Sequence, residues 1–262
     1  MPPEPIAVVL AAGKGTRMGS DLPKVLHVAH GKPLVAWVLE ALSSAGVHDR
    51  IVVVGHGADR VHATLARHAG VSYAVQRELR GTGDAVAAAG ELIAQRIARD
   101  PPGGRRPVVV VCGDSPMLRP ESVLHLLREW EARRASCLLG TAIAADPTGL
   151  GRIIRDEAGR FQRIVEHKDA TDAERSIREV NMSTYVFDAQ DLLWALGRLR
   201  PDNAAGEYYI TDCPGALLAA GRTVDAVACL DDSELLSVNT PEQLAAVDAA
   251  LKNRTAQGKV RS

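Results

Sequence analysis

The chain has 262 residues, of which 46% are hydrophobic and 24% are charged. This composition supplies enough apolar side chains for a large folded core, which excludes both a disordered charged tail and a small disulfide-stapled protein. Thirty-one Lys and Arg stand against thirty-two Asp and Glu, a formal net charge of -1. The overall charge therefore gives no reason to expect a nucleic acid or an anionic membrane as a partner.

The four cysteines and the N-terminal apolar run bear on the cellular location. The cysteines form no C-x-x-C pair and have no histidines at zinc-finger spacing, which is typical of free or buried thiols in a reducing compartment. The apolar run over 6–12 has no basic segment before it and is too short for a signal sequence or a membrane span. We therefore expect a cytoplasmic protein without membrane association.

Short apolar runs alternate with segments of helical period up to about residue 145. Strands are predicted over 6–10, 51–54, 71–75 and 108–111. Helices are predicted from Pro33 and from Pro120, where the apolar residues recur on one helical face. Because the strand segments are apolar throughout rather than alternating, helices should cover both faces of the sheet. The predicted fold class is α/β, a doubly wound, mostly parallel, Rossmann-like sheet.

The pattern changes after about residue 145. Shorter and more polar strands are predicted over 151–155, 161–166 and 180–187, which indicates a small mixed-sheet lobe. A closing helix is predicted over about 240–252, with Thr240 as cap and Pro241 in its first turn. We therefore expect a single domain. Its predicted parts are a first half of about 1–145, a lobe of about 146–230, the closing helix, and a frayed tail over 253–262.

The most informative motif follows the first predicted strand directly. It runs from Leu10 as Leu-Ala-Ala-Gly-Lys-Gly-Thr-Arg-Met and continues to Pro-Lys24. A glycine-rich turn at this place aims backbone N–H groups at phosphate oxygens, and Arg17 and Lys24 add positive charge. A dinucleotide fingerprint needs Gly where Met18 stands, and a Walker loop needs Ser or Thr where Gly15 stands. The motif predicts a polyphosphate-binding loop, and an ordinary flexible turn is the alternative.

Two other strand ends also present polar side chains. Gln76 ends the third predicted strand shortly before Gly81 opens a helix, and its amide offers a nucleobase edge both a donor and an acceptor. A solvated glutamine beside a turn is the alternative. Asp114 follows the strand over 108–111, at the sheet edge where open α/β sheets bind ligands, and its carboxylate suits Mg²⁺. The alternative is that Asp114 caps the helix after Pro116.

The second lobe and the C-terminal region contain further polar clusters near glycines. Carboxylates, amides and hydroxyls in such places suit sugar hydroxyls, each of which both donates and accepts a hydrogen bond. Taken singly, each cluster also fits an ordinary surface. The clusters are Gly149–Gly151, Ile164–Ala170, Asn181, Gly206–Asp212 and Val238–Pro241.

Taken in order, these motifs resemble the sugar nucleotidyltransferases, most closely the uridyltransferase domains of bifunctional N-acetylglucosamine-1-phosphate uridyltransferases. The resemblance covers about residues 6–250. It implies Mg²⁺-dependent transfer of a uridylyl group from UTP to a sugar 1-phosphate, with N-acetylglucosamine 1-phosphate as first choice and pyrophosphate as the other product. The alternatives are another acceptor, such as glucose 1-phosphate or a polyol phosphate, and a catalytically silent nucleotide-binding module.

The resemblance also implies a role for each matching residue of this sequence. The implied catalytic residues are Arg17, Lys24 and Asp114, and the implied Mg²⁺ ligands are Asp114 and Asn239. The implied nucleotide-binding residues are Leu10, Ala11, Ala12, Gly13, Gly15, Thr16, Gln76, Gly81 and Thr82. The implied sugar-binding residues are Gly151, Glu166, Asn181, Tyr209 and Thr211.

Three departures from the family pattern fall near the expected sugar or its phosphate. Cys112 stands where a tyrosine is common, Leu150 stands where an aromatic residue is expected, and Met182-Ser183 replaces Thr-Gly after Asn181. The nucleotide side is therefore expected to follow the family more closely than the sugar side. The chain ends at Ser262 without the hexapeptide repeats that carry acetyl transfer in the bifunctional enzymes, so that second activity is not expected of it.

Overall fold

The computed structural model describes residues 3–203 and 205–260. Its strands are β1 (Ile6–Ala11), β2 (Val28–Ala29), β3 (Lys32–Pro33), β4 (Asp49–Val54), β5 (Val71–Val75), β6 (Pro107–Cys112), β7 (Cys137–Ile143), β8 (Arg152–Arg155), β9 (Phe161–Val165), β10 (Glu179–Asp188) and β11 (Val224–Ala228). Its α-helices are α1 (Leu34–Ser44), α2 (Ala58–Leu65), α3 (Thr82–Ala88), α4 (Gly90–Ile97), α5 (Pro120–Arg133), α6 (Asp172–Arg175), α7 (Ala189–Leu196), α8 (Asp212–Ala219) and α9 (Pro241–Val260).

One mixed sheet organises the described part of the chain. Its strand order is β11-β7-β10-β6-β1-β4-β5; in addition, β8 pairs with β10, and β9 pairs with β8. The strand β1 is parallel to both β4 and β6, while β10 is antiparallel to β6 and β7. The strands β8 and β9 form an antiparallel pair beside β10. The predicted doubly wound, mostly parallel sheet with a small mixed lobe is confirmed.

Residues of the central strands alternate between two hydrophobic clusters. Ile6 and Val8 belong to one cluster, and Ala7 and Val9 belong to the cluster on the opposite face. This two-sided burial explains why the strand segments are apolar throughout, because each face of a doubly wound sheet is covered by helices. Each Å² of apolar surface buried in this way contributes about 25 cal/mol. The strand ends that carry the candidate site therefore extend from a well-packed core.

The connections of β1 create a switch point in the sheet. After β1 the chain moves outward to β4 and β5, and it then returns to the other side of β1 as β6. The loops that follow β1 and β6 therefore leave the sheet in divergent directions, which opens a crevice at the carboxyl ends of these strands. The Gly113 N–H donates to the Leu10 carbonyl oxygen at 2.9 Å and holds the two loops side by side.

The C-terminal helix is longer than the sequence pattern predicted. The predicted end at residue 252 is too early, because α9 continues to Val260. Arg254 anchors this extension: its guanidinium donates to the Met117 carbonyl oxygen at 3.0 Å and lies 5.9 Å from the Trp37 ring centre. The last two residues of the predicted tail lie outside the described residues. No helix within 3–203 and 205–260 has both the length and the apolar character that crossing a membrane requires.

Candidate functional site

A cleft of about 290 Å³ lies at the switch point of the sheet. It is lined by Leu10, Ala11, Ala12, Gly13, Lys24, Val25, Gln76, Leu79, Gly81, Thr82, Ala85, Cys112, Asp114 and Glu207. A larger groove of about 920 Å³ runs along β11 and contains none of the residues that the sequence predicted for the site. The structure therefore brings most predicted nucleotide residues, together with Lys24 and Asp114, to one crevice.

The glycine-rich loop after β1 is held between Lys24 and α9. Gly15 has φ of 63°, and a Cβ atom at this position would lie 2.6 Å from the Cβ atom of Lys24. Only glycine allows this approach without strain. The next residues form a 3-10 turn, Thr16–Met18, and Met18 is buried in a cluster with Val247 and Leu251 of α9. The loop that should contact phosphates therefore has a defined shape.

Lys24 is the centre of a polar network at the mouth of the cleft. Its Nζ atom forms an ion pair with Asp114 and donates to Asn239 Oδ1 at 3.0 Å. Arg17 Nη2 donates to the same oxygen at 3.0 Å, although Arg17 and Asn239 are 222 residues apart in sequence. The side chains of Lys24 and Asp114 are only 16% and 17% exposed, so solvent screens their ion pair weakly. All four predicted charged or metal-binding residues thus lie together.

Backbone hydrogen bonds place Asn239 beside Asp114. The Val238 N–H donates to the Asp114 carbonyl oxygen at 3.2 Å, and the Asn239 N–H donates to Gln243 Oε1 at 2.8 Å. Upstream, the Glu234 carboxylate accepts from the Arg119 N–H at 2.9 Å and ties this segment to the start of α5. Arg119 is the residue preceding α5, so Asp114 does not cap that helix.

Burial of Gln76 excludes the alternative of a solvated side chain. The residue is 6% exposed, and its Nε2 atom donates to the Gly81 carbonyl oxygen at 3.1 Å and to Asp84 Oδ2 at 2.9 Å. Gly81 has φ of 107°, and a Cβ atom there would lie 2.4 Å from the Tyr208 carbonyl oxygen. The Gly83 N–H donates to that same oxygen at 2.8 Å. The segment around Tyr208 therefore packs closely against residues 81–83, which follow Gln76 in sequence.

The five predicted sugar-binding residues do not line the cleft, and they are carried by separate elements. The Asn181 N–H donates to the Gly151 carbonyl oxygen at 2.9 Å, and Asn181 Nδ2 donates to the Tyr185 hydroxyl at 2.9 Å. Between Tyr209 and Thr211, the Ile210 N–H donates to Thr82 Oγ1 at 3.1 Å. The structure therefore joins Gly151 to Asn181, and it joins the 209–211 segment to Thr82, a predicted nucleotide-binding residue at the start of α3.

Glu166 follows β9 in a partly buried position. Burial raises the pKa of its carboxyl group, Lys168 opposes this shift, and the Asp169 and Asp212 carboxylates reinforce it. A carboxylate with a raised pKa changes charge closer to neutral pH than an ordinary glutamate. Glu166 therefore has an environment unlike that of a solvated surface residue, which was the alternative for the run Glu-His-Lys-Asp.

Two of the departures from the family pattern meet at the border of the cleft. Cys112 lines the cleft, but its thiol is desolvated, and burial together with the Asp114 carboxylate raises its pKa to about 12. Ser183 is a hydrogen-bonding neighbour of this thiol. Ser183 has φ of 50°, at a bulge of β10 between Asn181 and Thr184. A serine therefore occupies a left-handed backbone conformation that favours glycine.

The donor set at the mouth of the cleft fits a hard divalent cation. The Asp114 carboxylate and the Asn239 side-chain carbonyl oxygen both contact one cationic group, the Lys24 ammonium. Within residues 3–203 and 205–260, no cluster of three or more His, Cys, Asp or Glu forms a complete metal site. Mg²⁺ needs only one or two protein oxygens when substrate phosphates and water supply the other ligands. The residues present therefore suit Mg²⁺ that is bound together with a phosphate substrate.

The sequence did not point to Asp84, and it placed Glu207 and Cys112 near the expected sugar rather than at the nucleotide cleft. Glu207 and Cys112 line the cleft, and Asp84 contacts Gln76 from the first turn of α3. Glu207 belongs to a segment that the sequence assigned to the sugar. No periodic signal could have identified Asp84, because the irregular loop between β5 and α3 decides which side chains meet. An acidic residue beside the Gly-Thr-Gly run was the only available hint.

Comparison with known proteins identifies the family. The model of the MobA-like NTP transferase domain matches residues 7–179. The chain belongs to this family. It is 44% identical over 256 residues to the bifunctional protein GlmU of Brevibacillus brevis, which covers 98% of this chain and 53% of that protein. It is also 44% identical over 249 residues to the bifunctional protein GlmU of Halalkalibacterium halodurans, and this match covers 95% of this chain and 52% of that protein. The chain thus spans about half the length of these relatives.

Solved structures support the fold. A UDP-glucose pyrophosphorylase complexed with UDP-glucose has a TM-score of 0.74 at 17% identity, covering 96% of this chain and 99% of that chain. Its apo form has a TM-score of 0.74 at 16% identity with the same coverage. At this identity the likeness establishes the fold alone. Together with the family match, it confirms the resemblance to sugar nucleotidyltransferases and the prediction of a nucleotidyltransferase.

Proposed function

We propose that this chain transfers a uridylyl group from UTP to a sugar 1-phosphate in a Mg²⁺-dependent reaction. The preferred acceptor in this proposal is N-acetylglucosamine 1-phosphate. The observation that carries it is the convergence of Lys24, Arg17, Asp114 and Asn239 at the mouth of the cleft that contains Gln76. This arrangement places positive charge and hard oxygen ligands where a triphosphate would extend from a bound base.

The nucleotide would lie along the carboxyl edge of the sheet. The base contacts Gln76 and Gly81, and the phosphates follow the glycine-rich loop towards Lys24. Backbone N–H groups of this loop and the side chains of Arg17 and Lys24 would bind phosphate oxygens. The proposed nucleotide site consists of Leu10, Ala11, Ala12, Gly13, Gly15, Thr16, Gln76, Gly81 and Thr82.

The proposed reaction needs no nucleophile from the protein. A phosphate oxygen of the sugar 1-phosphate attacks the α-phosphorus of UTP and forms the new P–O bond. The bond from the α-phosphorus to the bridging oxygen breaks, and pyrophosphate leaves with the electron pair. The task of the protein is to align two polyanions and to neutralise the charge that develops. Lys24 and Arg17 are placed for this role.

Asp114 and Asn239 would hold the Mg²⁺ ion. The bound ion supplies charge neutralisation and polarises phosphate oxygens. The Lys24 ammonium contacts both of these residues, so it occupies the same two side chains that would hold the ion. A bound ion would compete with the Lys24 ammonium for these two residues, and the ammonium would then be available to substrate phosphates. Loss of Lys24 should then weaken the binding and charge stabilisation of the substrate phosphates while the shape of the cleft is kept.

On the acceptor side, we assign sugar recognition to Gly151, Glu166, Asn181, Tyr209 and Thr211. Asn181 and Glu166 offer amide and carboxylate groups to sugar hydroxyls. The Ile210 N–H ties the 209–211 segment to Thr82, which belongs to the proposed nucleotide site. This contact links the binding of the sugar phosphate to the binding of the nucleotide. Glucose 1-phosphate is the second candidate, because Leu150 and the Met182-Ser183 pair depart from the family pattern near the expected sugar.

A substrate panel tests this proposal. Pyrophosphate release is measured with UTP and N-acetylglucosamine 1-phosphate, glucose 1-phosphate or galactose 1-phosphate, each with and without Mg²⁺. We expect release only with both Mg²⁺ and a sugar phosphate, and fastest with N-acetylglucosamine 1-phosphate. Absence of turnover with all three acceptors would reject the sugar assignment. A polyol phosphate is then added as a fourth acceptor, and turnover with it alone would establish the alternative acceptor class.

A further inference from the structure

The side-chain amide nitrogen of Gln76 faces two hydrogen-bond acceptors. Its Nε2 atom donates to the Gly81 carbonyl oxygen at 3.1 Å and to Asp84 Oδ2 at 2.9 Å. A carbonyl oxygen only accepts hydrogen bonds, and so does an ionised carboxylate. The other Asp84 oxygen, Oδ1, accepts from Arg80 Nη2 at 2.8 Å, so both oxygens of this carboxylate serve as acceptors. Both N–H groups of the Gln76 amide are thus used by acceptors.

This arrangement fixes which way the Gln76 amide faces. Rotation of the amide by 180° would bring Oε1 against two acceptors and leave a buried carbonyl oxygen without a donor, which is costly in a residue that is 6% exposed. Oε1 is therefore the only polar atom of the amide left for a ligand. Gln76 lines the cleft, so the group that it offers there is a hydrogen-bond acceptor.

We propose that Asp84 is a specificity-determining residue that acts through Gln76. By holding the amide in one orientation, Asp84 makes the cleft select a nucleobase that presents a ring N–H to Gln76 Oε1. Uracil carries a hydrogen at N3, whereas cytosine carries a lone pair at N3 that would face the lone pairs of Oε1. This inference rests on the proposed function and extends it to the choice between UTP and CTP. Asp84 is a positioning residue, because it contacts Gln76 rather than the base.

The loop around Asp84 supports this role. Arg80, which pairs with Asp84, also lies over the Tyr208 ring at 5.5 Å from its centre. The Tyr208 N–H donates to the Arg80 carbonyl oxygen at 2.7 Å, and the Tyr208 carbonyl oxygen accepts from Gly83 at 2.8 Å. The segment that carries Arg80 and Asp84 is thereby fixed to the segment around Tyr208. The orientation of Gln76 thus depends on a connected set of contacts rather than on one free side chain.

The test compares Asp84→Ala and Asp84→Asn with the wild type, using UTP and CTP with the best sugar phosphate. We expect the ratio of kcat/KM for UTP to that for CTP to fall about tenfold in Asp84→Ala, the typical effect of losing one charge-assisted hydrogen bond. Asp84→Asn keeps an acceptor oxygen and should lose less. The KM for UTP should rise while kcat with UTP stays within about twofold, because the phosphate network is untouched.

A matched control is Glu78→Gln on the same loop. Glu78 is an exposed carboxylate that pairs with Arg80 at 3.5 Å and does not contact Gln76, so its substitution should leave the UTP to CTP ratio unchanged. Circular dichroism checks that every variant is folded. An unchanged ratio in a folded Asp84→Ala, or a wild-type preference for CTP, would overturn the inference.

Direct binding separates this inference from the proposed function. The affinities for UTP and CTP are measured by calorimetry with Mg²⁺ and without any acceptor. If no sugar phosphate is turned over, but the wild type binds UTP more tightly than CTP and Asp84→Ala reduces that difference, the inference stands and the proposed reaction fails. If the wild type binds the two nucleotides equally, the role of Asp84 is rejected whatever the reaction.

Discussion

The proposed phosphate side and the proposed sugar side of the site are stabilised in different ways. On the phosphate side, Lys24 contacts both Asp114 and Asn239, so residues from distant parts of the chain fix one another. On the sugar side, Asn181 lies next to a bulge, and that bulge depends on Ser183 in a left-handed conformation. Interlocked side chains resist change, whereas a single backbone feature is more easily altered. Sequence change should therefore affect acceptor choice before it affects phosphate chemistry.

The largest expected effect comes from removing the carboxylate at the centre of the phosphate side. Asp114→Ala should reduce kcat by more than about 10³-fold, because the variant loses the proposed metal ligand and the ionic partner of Lys24. Its fold should be retained, and Asp59→Ala, at an exposed aspartate of α2, should behave like the wild type. Pyrophosphate release measures turnover. Near wild-type turnover of Asp114→Ala at limiting Mg²⁺ would refute the metal assignment.

Lys24 tests whether the network acts in the transition state. Lys24→Ala should lower kcat by about 10²–10³-fold, the usual loss for one preorganised charge-stabilising group. Lys14→Ala removes the same charge from an exposed side chain of the glycine-rich loop. Because the proposed phosphate contacts of this loop are its backbone N–H groups, kcat should stay unchanged. An unchanged kcat with a raised KM for UTP in Lys24→Ala would mean that Lys24 only binds the substrate.

The sugar side should discriminate among acceptors less sharply than that of the relatives. Leu150 offers no flat stacking surface, and Met182 adds bulk beside Asn181. A change of this kind in a pocket is worth about 1–3 kcal/mol, or roughly 10–200-fold in kcat/KM. The measurement is kcat/KM with UTP for the three sugar phosphates of the panel. A preference for N-acetylglucosamine 1-phosphate above about a thousandfold would show that the pocket has not been loosened.

Glu166 should make sugar binding depend on pH. Burial raises the pKa of this carboxyl group above the ordinary glutamate value of 4.5. As pH falls through the raised pKa, the group takes up a proton and loses its strongest acceptor character, so the KM for the sugar phosphate should rise by up to about tenfold. Glu166→Gln should lack this dependence. Because titration of the substrate phosphate affects both proteins equally, identical pH profiles would exclude Glu166 from sugar binding.

The smallest expected effect concerns the backbone of the bulge. Ser183→Gly removes a left-handed strain of about 1–2 kcal/mol, but glycine also makes the unfolded chain more flexible by about 0.4–1 kcal/mol. The free energy of unfolding should therefore rise by no more than about 1.5 kcal/mol, as measured by urea denaturation. Ser183→Ala is the control and should not gain stability. A clear loss of stability in Ser183→Gly would mean that the serine side chain supports the bulge.

The parts of the site predicted from sequence share a local origin. The glycine-rich loop, Gln76 and Asp114 each follow an apolar strand directly, and parallel strands bring their carboxyl ends to one edge. The contact of Lys24 with Asn239 and the contact of Asp84 with Gln76 depend on how loops fold over that edge, for which no periodic pattern exists. The length of α9 was missed for a similar reason, because Arg254 anchors its last turns to the distant Met117 carbonyl oxygen.

The fold shows the same difference between elements that a local sequence pattern predicts and elements that depend on distant contacts. The central strands β1, β4 and β6 were predicted because continuous β-branched and apolar runs reveal strands that are buried on both faces. The strand β5 was predicted from the same kind of run, although it lies at the edge of the sheet and only its Ala74 is buried. The strands β7 and β11 were not predicted. β7 is interrupted by Gly140, and β11 is a short edge strand with polar Asp225. Their positions in the sheet come from pairing with each other and with β10 rather than from local preference.

The most direct test of the central claim follows the phosphorus atoms themselves. UTP, N-acetylglucosamine 1-phosphate and Mg²⁺ are incubated with the protein, and ³¹P NMR records the products. We expect a diphosphate-linked nucleotide sugar and pyrophosphate to accumulate in equal amounts, and neither to accumulate with Asp114→Ala. Release of orthophosphate in their place, or formation of the same products by Asp114→Ala at the wild-type rate, would contradict this expectation.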